Sequence, residues 1–125
     1  MSFVYDAGVL IAAERNERAT WAEHRARLEL GVVPLTTAPV VAQVSRSARQ
    51  VQLHRFLRGC AIAPFATDQA HQVGALLAAA GSTDVVDAHL IVAAASTAAI
   101  VVSSDPRDLT RLADALGGHV TIVAK

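Results

Sequence analysis

Short apolar runs rich in β-branched residues alternate along this chain with longer stretches whose apolar positions return every three to four residues. The first kind reads as strand, the second as helix. Ser2–Tyr5 predicts a strand that stops at Asp6-Ala7-Gly8, and Val9–Ala13 then opens a helix. Glu17–Leu30 predicts an amphipathic helix with Trp21, Ala22, His24 and Leu28 inward, and Glu23, Arg25, Arg27 and Glu29 outward. Gly31 ends it, where a C-terminal glycine is expected. Val32–Leu35 predicts a second strand, and Thr36 or Thr37 can cap the next helix, with Pro39 in its first turn and Val40, Val41, Ala42, Gln43 and Val44 along it. Ser47-Ala48 separates this helix from Arg49–Arg58. A third strand is expected over Ala61–Phe65. Thr67 or Asp68 is expected to cap a helix over Gln69–Ala80 that ends at Gly81. The stretch Asp84–Ala98 is apolar nearly all round, so it predicts a buried central helix. Ile100–Ser104, Arg107–Leu116 and His119–Val123 complete the pattern as strand, helix and strand. Strands alternating with helices imply a parallel sheet of about five strands covered on both faces, an α/β/α arrangement.

This pattern puts acidic residues at particular places. Asp6 follows the first strand and Asp105 the fourth, while Asp84 and Asp87 lie three apart at the start of the central helix and share a face. In parallel sheets ligands bind beyond the carboxyl ends of the strands, where the strand order reverses. Carboxylates gathered there raise one another's pKa unless a cation offsets them. Hard divalent ions such as Mg²⁺ or Mn²⁺ take oxygen ligands and acidify bound water, so an all-oxygen site points towards phosphodiester cleavage.

Composition narrows the picture without redirecting it. The 125 residues suit one domain, 1–125, and a 53% hydrophobic content excludes a disordered chain. No apolar run reaches the length of a membrane span, the start of the chain lacks the features of a signal peptide, and a cytoplasmic location is the default expectation. The single cysteine, Cys60, excludes an internal disulfide and reads as a small core residue. Eleven basic and eleven acidic residues cancel, yet Arg46, Arg49, Arg55 and Arg58 fall in a stretch free of acids. They are either a solvated face or contacts for phosphate groups, with Arg46 and Arg49 the candidates beside the site.

The motifs together resemble the PIN-domain family, and within it the VapC-type ribonuclease toxins of bacterial toxin–antitoxin pairs. Val4-Tyr5-Asp6-Ala7-Gly8-Val9-Leu10-Ile11 is similar to the family's opening strand, first aspartate and helix. Asp87-Ala88-His89-Leu90-Ile91-Val92-Ala93-Ala94-Ala95 resembles its aspartate-bearing alanine-rich helix, and Val101-Val102-Ser103-Ser104-Asp105-Pro106-Arg107-Asp108-Leu109 its last acidic motif. The resemblance implies a PIN fold and a Mg²⁺- or Mn²⁺-dependent endoribonuclease. Asp6 and Asp87 would be the main ligands, Asp105 would complete the cluster, and Asp84 and Asp108 would be accessory. It also implies a small antitoxin as partner and a homodimer. The family's second acid, a glutamate, is replaced here by Gln43, which can offer a neutral oxygen but cannot act as a base. A subtype of actinobacterial PIN proteins resembles this chain in carrying glutamine there.

Simpler roles stand beside these. Asp84 can serve purely as a helix cap, Asp6 as a turn residue and Asp105 as a cap ahead of Pro106. His89, two residues beyond Asp87, points to another helix face and reads as packed or partly exposed; His24, His54, His71 and His119 show no ligand spacing. Ser103 or Ser104 either orients a metal-bound water or satisfies backbone groups at the strand end. The alternative to an enzyme is a PIN-fold RNA-binding or regulatory module weakened by Gln43. A phosphatase or DNA nuclease of similar chemistry is the third reading.

Overall fold

The computed structural model describes residues 1–125, and its element order is the expected alternation. Strands β1 (Phe3–Tyr5), β2 (Leu35–Thr37), β3 (Ala61–Ala63), β4 (Ile100–Ser103) and β5 (Ile122–Ala124) form one sheet in the order β3-β2-β1-β4-β5. Every neighbouring pair is parallel. The helices are α1 (Ala7–Glu14), α2 (Arg18–Glu29), α3 (Ala38–Val44), α4 (Val51–Leu57), α5 (Ala70–Ala80), α6 (Val85–Thr97) and α7 (Pro106–Leu116). α1 packs with α2, α3 and α4, and α5, α6 and α7 pack on one another, so a helical layer covers each face of the sheet. The chain winds outward from β1 through β2 to β3, then returns through α5 and α6 to β4. The strand order therefore reverses between β1 and β4, which pair in register from Phe3↔Ile100 to Tyr5↔Val102.

Small and branched side chains build the core because aromatic residues are scarce. Val4, Tyr5, Leu10, Val40, Phe56, Leu90, Ile91, Val101, Leu109 and Leu112 meet in one apolar cluster. α6 is buried from Ala88 to Ala94, as an all-apolar helix must be. No single helix is long and apolar enough to cross a membrane.

Local chemistry moves several boundaries. The expected strand Val32–Leu35 instead begins at Leu35, because Pro34 donates no hydrogen to a ladder, and Thr36 and Thr37 continue it. Thr37 ends that strand and caps α3, its hydroxyl accepting from Val40 N–H at 3.3 Å. Neither Thr67 nor Asp68 caps α5. A 3₁₀ turn over Thr67–Gln69 precedes it, and the Gln69 amide oxygen accepts from Ala66 N–H at 2.9 Å. The last strand lies at Ile122–Ala124, later than His119–Val123.

The largest departure is Arg27, expected outside. Its guanidinium lies 4.6 Å from the centre of the Phe3 ring and donates to the Tyr5 hydroxyl at 3.1 Å. The Tyr5 hydroxyl is also hydrogen-bonded to His24 Nδ1 at 3.0 Å, and His24 stacks on Phe56 with ring centres 4.0 Å apart. Ala22 and Leu28 lie exposed instead, so α2 is held by this polar and aromatic chain and not by the apolar stripe its sequence suggests. Burial pushes the Tyr5 hydroxyl up to about 12, against the opposing pull of Arg27.

Burial, reinforced by the Arg27 charge, lowers the His24 pKa from 6.5. A depressed folded pKa means that the unfolded chain takes up the proton first. The contribution of His24 to stability should therefore fall as pH drops below about 6.5 towards the folded value. The expected result is that wild type loses stability relative to His24→Asn as pH falls through that range, read from the urea midpoints of the two proteins. Parallel pH profiles for the two proteins would rule out this role for His24.

Candidate active site

The reversal between β1 and β4 is where the acidic residues collect. Asp6 leaves β1 in extended conformation and caps α1, one carboxylate oxygen accepting from Ala7 N–H at 2.7 Å. Its other oxygen accepts from the Ser103 hydroxyl at 2.8 Å across the β1–β4 pair. Ser103 is wholly buried and its oxygen also accepts from Asp105 N–H at 3.0 Å. One serine thus ties the Asp6 carboxylate to the turn that starts α7. Removing this hydroxyl leaves both partners short of a bond. Ser103→Ala should cost about 1–2 kcal/mol, seen as a lower denaturation midpoint; an unchanged midpoint would show that water replaces the hydroxyl freely.

Asp84 caps α6, accepting from Asp87 N–H at 3.0 Å, while its own N–H donates to Ser82 Oγ at 3.1 Å. That places Asp87 in the first helical turn, half-buried. Its carboxyl is pushed up to about 7, first by burial and then by the negative charges of Asp84, Asp6 and Asp108. Four carboxylates from the starts of α1, α6 and α7 therefore share one electrostatic environment. No lysine or arginine forms an ion pair with any of them; the only ion pairs are Arg27–Glu23 and Lys125–Glu17.

Asp105 is exposed at the head of α7 and makes no side-chain capping bond, and Asp108, one turn on, is the α7 carboxylate that Asp87 feels. Gln43 is exposed on α3, which packs on both α1 and α6, and its amide bonds to no other group. Arg46 and Arg49 are exposed in the α3–α4 connection, Arg46 donating to its neighbour Ser45 O at 2.9 Å. His89 is fully buried, stacked on Phe65 at 4.5 Å, with Nε2 3.1 Å from the Gln69 amide oxygen. It is a packing residue away from the acidic group.

Gly8 has a role that its sequence neighbours only hint at. A Cβ built there would overlap the Ser104 hydroxyl and stand 2.9 Å from Ser104 Cβ. The first turn of α1 thus lies directly against the Ser104 side chain, which must shift to admit any residue larger than glycine. The one sequence signal was the glycine two residues after the strand-ending aspartate.

The donor set suits a hard divalent cation: oxygen atoms, an excess of negative charge, and a half-buried Asp87 whose carboxyl is pushed up by burial and by its acidic neighbours. No three His, Cys, Asp or Glu side chains stand as a ready-made ligand cluster, so the fit rests on charge and donor type.

A three-layer domain whose parallel sheet carries an acidic group at its switch point is the class that fold and site define together. The PIN domain profile matches residues 3–115, and the chain belongs to the PIN-domain family, whose members are in general nucleases. Among curated proteins no sequence matches. Solved structures are similar at low identity. VapBC2 from Rickettsia felis, bound to a DNA fragment from its promoter, has a TM-score of 0.74 at 15% identity and covers 100% of this chain and 99% of that one. FitAB bound to the IR36 DNA fragment has a TM-score of 0.65 at 16% identity, covering 98% and 94%. PAE2754 from Pyrobaculum aerophilum has a TM-score of 0.62 at 17% identity, covering 99% and 92%.

Proposed function

We propose that residues 1–125 act as a single PIN domain that cleaves RNA with the help of Mg²⁺ or Mn²⁺. The observation that carries this reading is Asp87, pushed up to about 7 amid Asp84, Asp6 and Asp108 at the β1–β4 reversal. Asp6 and Asp87 hold the ion, with Asp105 completing the group and Asp84 and Asp108 accessory. The bound ion supplies an acidified water and offsets charge on the phosphoryl oxygen. Ser103 fixes the Asp6 carboxylate, Asp84 fixes the first turn that bears Asp87, and Gln43 orients water or substrate through its amide. Arg46 and Arg49 meet phosphates beside the site. The setting is that of a cytoplasmic toxin held by a small antitoxin and assembled as a homodimer. Its support is the likeness to VapBC2 and FitAB, each solved bound to a DNA fragment, beside the resemblance of the motifs to VapC-type toxins.

The test pairs calorimetric titration of Mn²⁺ with a panel of single-stranded RNA, DNA and a phosphomonoester. Mn²⁺ binding together with cleavage of RNA alone is expected. Cleavage restricted to DNA or to the monoester would overturn the substrate assignment.

A second reading draws on Gln43, exposed and bonded to nothing, where the family carries an acid. On that reading the domain binds RNA without cutting it. Gln43→Glu adds one negative charge and is expected to tighten Mn²⁺ binding several-fold, roughly 1 kcal/mol. New cleavage in that variant from an inert parent would decide for the binding module. Cleavage already present in the parent would decide against it.

A further inference from the structure

A second group of charges, opposite in sign, lies on the flank of the α1–α4 layer. Asn16, Arg18, Trp21, Arg25, Gln52 and Arg55 line a recess of about 320 Å³ that contains no acidic residue. Helical spacing puts Arg18, Trp21 and Arg25 on one face of α2, and Gln52 and Arg55 on one face of α4. Asn16 joins them from the turn between α1 and α2, in left-handed conformation at φ 59°.

None of the three arginines has a carboxylate partner. Glu14, the nearest acid on α1, accepts from Leu53 N–H at 2.6 Å, and Glu17 is taken by Lys125 at 2.6 Å and Thr20 at 2.8 Å. Arg27, on the same helix but outside the recess, does pair with Glu23. Arg55 lies 5.8 Å from the centre of the Trp21 ring and 3.5 Å from the Gln52 amide oxygen.

Three guanidinium groups around one concavity repel one another, and an anion placed between them removes that cost. Their planar forks match phosphate oxygens, and the Asn16 and Gln52 amides add neutral donors. A half-buried indole with the Arg55 guanidinium over its ring adds an aromatic wall where a base can pack, which an acidic peptide would leave unused. Asp6 caps one end of α1 and Asn16 follows the other, and the 8 residues of that helix span about 12 Å, a length that one single strand bridges.

We propose that this recess is a second anchor for single-stranded RNA, gripping phosphodiester groups of the strand whose scissile bond lies at the carboxylates. The proposal rests on the ribonuclease reading above. Binding without cleavage tests it: a fluorescein-labelled RNA of roughly 20 nucleotides is titrated in EDTA at several salt concentrations. The combined substitutions Arg18→Gln, Arg25→Gln and Arg55→Gln are expected to weaken binding about tenfold. They should also make the log–log salt slope shallower by about 2, three phosphates at roughly 0.7 each. Arg→Lys at the same positions keeps the charge and should keep most of the slope.

Trp21 is the only tryptophan, so its emission reports occupancy directly. RNA should shift it in wild type and not in the glutamine variant. Equal salt slopes, or emission that RNA leaves unmoved, would overturn the anchor; emission that answers polyglutamate but not RNA would do the same in favour of an acidic peptide. Parallel cleavage with Mn²⁺ separates the two levels. RNA cut normally by a protein whose recess does not respond removes only the anchor. RNA neither bound nor cut by wild type removes both.

Discussion

Asp87→Asn is expected to abolish metal-dependent RNA cleavage and, without divalent ions, to make the protein more stable than wild type. Both outcomes come from one charge. The Asp87 carboxyl rises from 3.8 to about 7, with burial the first cause and the charges of Asp84, Asp6 and Asp108 following. A folded pKa above the unfolded one means the folded state holds the extra proton between about pH 4 and 7, and stability falls as pH rises through that window. Above pH 7 the charged carboxylate carries the whole penalty. After allowance for solvent screening of a half-exposed group, that penalty is about 1–2 kcal/mol.

Asparagine keeps the shape and drops the charge, so the melting temperature at pH 8 in EDTA should rise by about 4–8 °C. Divalent ions reverse the order. Binding of Mn²⁺ at a hundred times its dissociation constant stabilises wild type by about 2.7 kcal/mol, and the variant forgoes most of this. Its cleavage rate should drop about a thousandfold or more, the several kcal/mol that a lost metal ligand represents. A variant that melts lower than wild type in EDTA, or keeps the full Mn²⁺ shift, would show that Asp87 is not the charge at the centre of the site.

Gly8→Val tests the opposite kind of effect, one of volume. The first turn of α1 lies against Ser104, where even one added carbon overlaps the serine side chain. The turn cannot yield freely, because Ser103, next in the chain, is bonded to both Asp6 and Asp105 N–H. Overpacking here should cost about 3 kcal/mol, near 10 °C in melting temperature. The surviving folded fraction should cleave about a hundredfold more slowly, since Asp6 and the head of α7 are pushed apart. Gly74→Ala is the matched control: a Cβ there meets nothing within 4 Å, and the residue lies inside α5. It should gain about 0.5–1 kcal/mol from helix propensity. Equal melting temperatures for Gly8→Val and wild type would show that the β4–α7 turn adapts without cost.

How far the site could be read beforehand differs residue by residue. Asp84 as the cap of α6 with Asp87 in its first turn follows from spacing, because a capping bond spans three residues. Asp6 at the end of β1 follows from where an apolar run stops. Ser103 had two expected roles, at a water or at backbone groups. The second is met at Asp105 N–H, and the hydroxyl also goes to a carboxylate 97 positions away, a pairing set by β1 and β4 lying side by side. Arg25 and Arg27 looked alike on the outer face of α2, yet one lines the basic recess and the other is drawn over Phe3 and Tyr5. Two positions on a helix separate in this way only when something packs beside one of them.

The sequence by itself determined the alternation of strand and helix, the burial of α6 and the placing of acids at element ends, because periodicity and capping act over a few neighbouring residues. Only the tertiary structure decided that the charge of Asp108 reaches Asp87, that Ser103 holds Asp6, and that Arg18, Arg25 and Arg55 share a recess without an acid. Each of these depends on distances between elements far apart in the chain. Those distances are set by strand order and by packing as close as Gly8 against the Ser104 side chain.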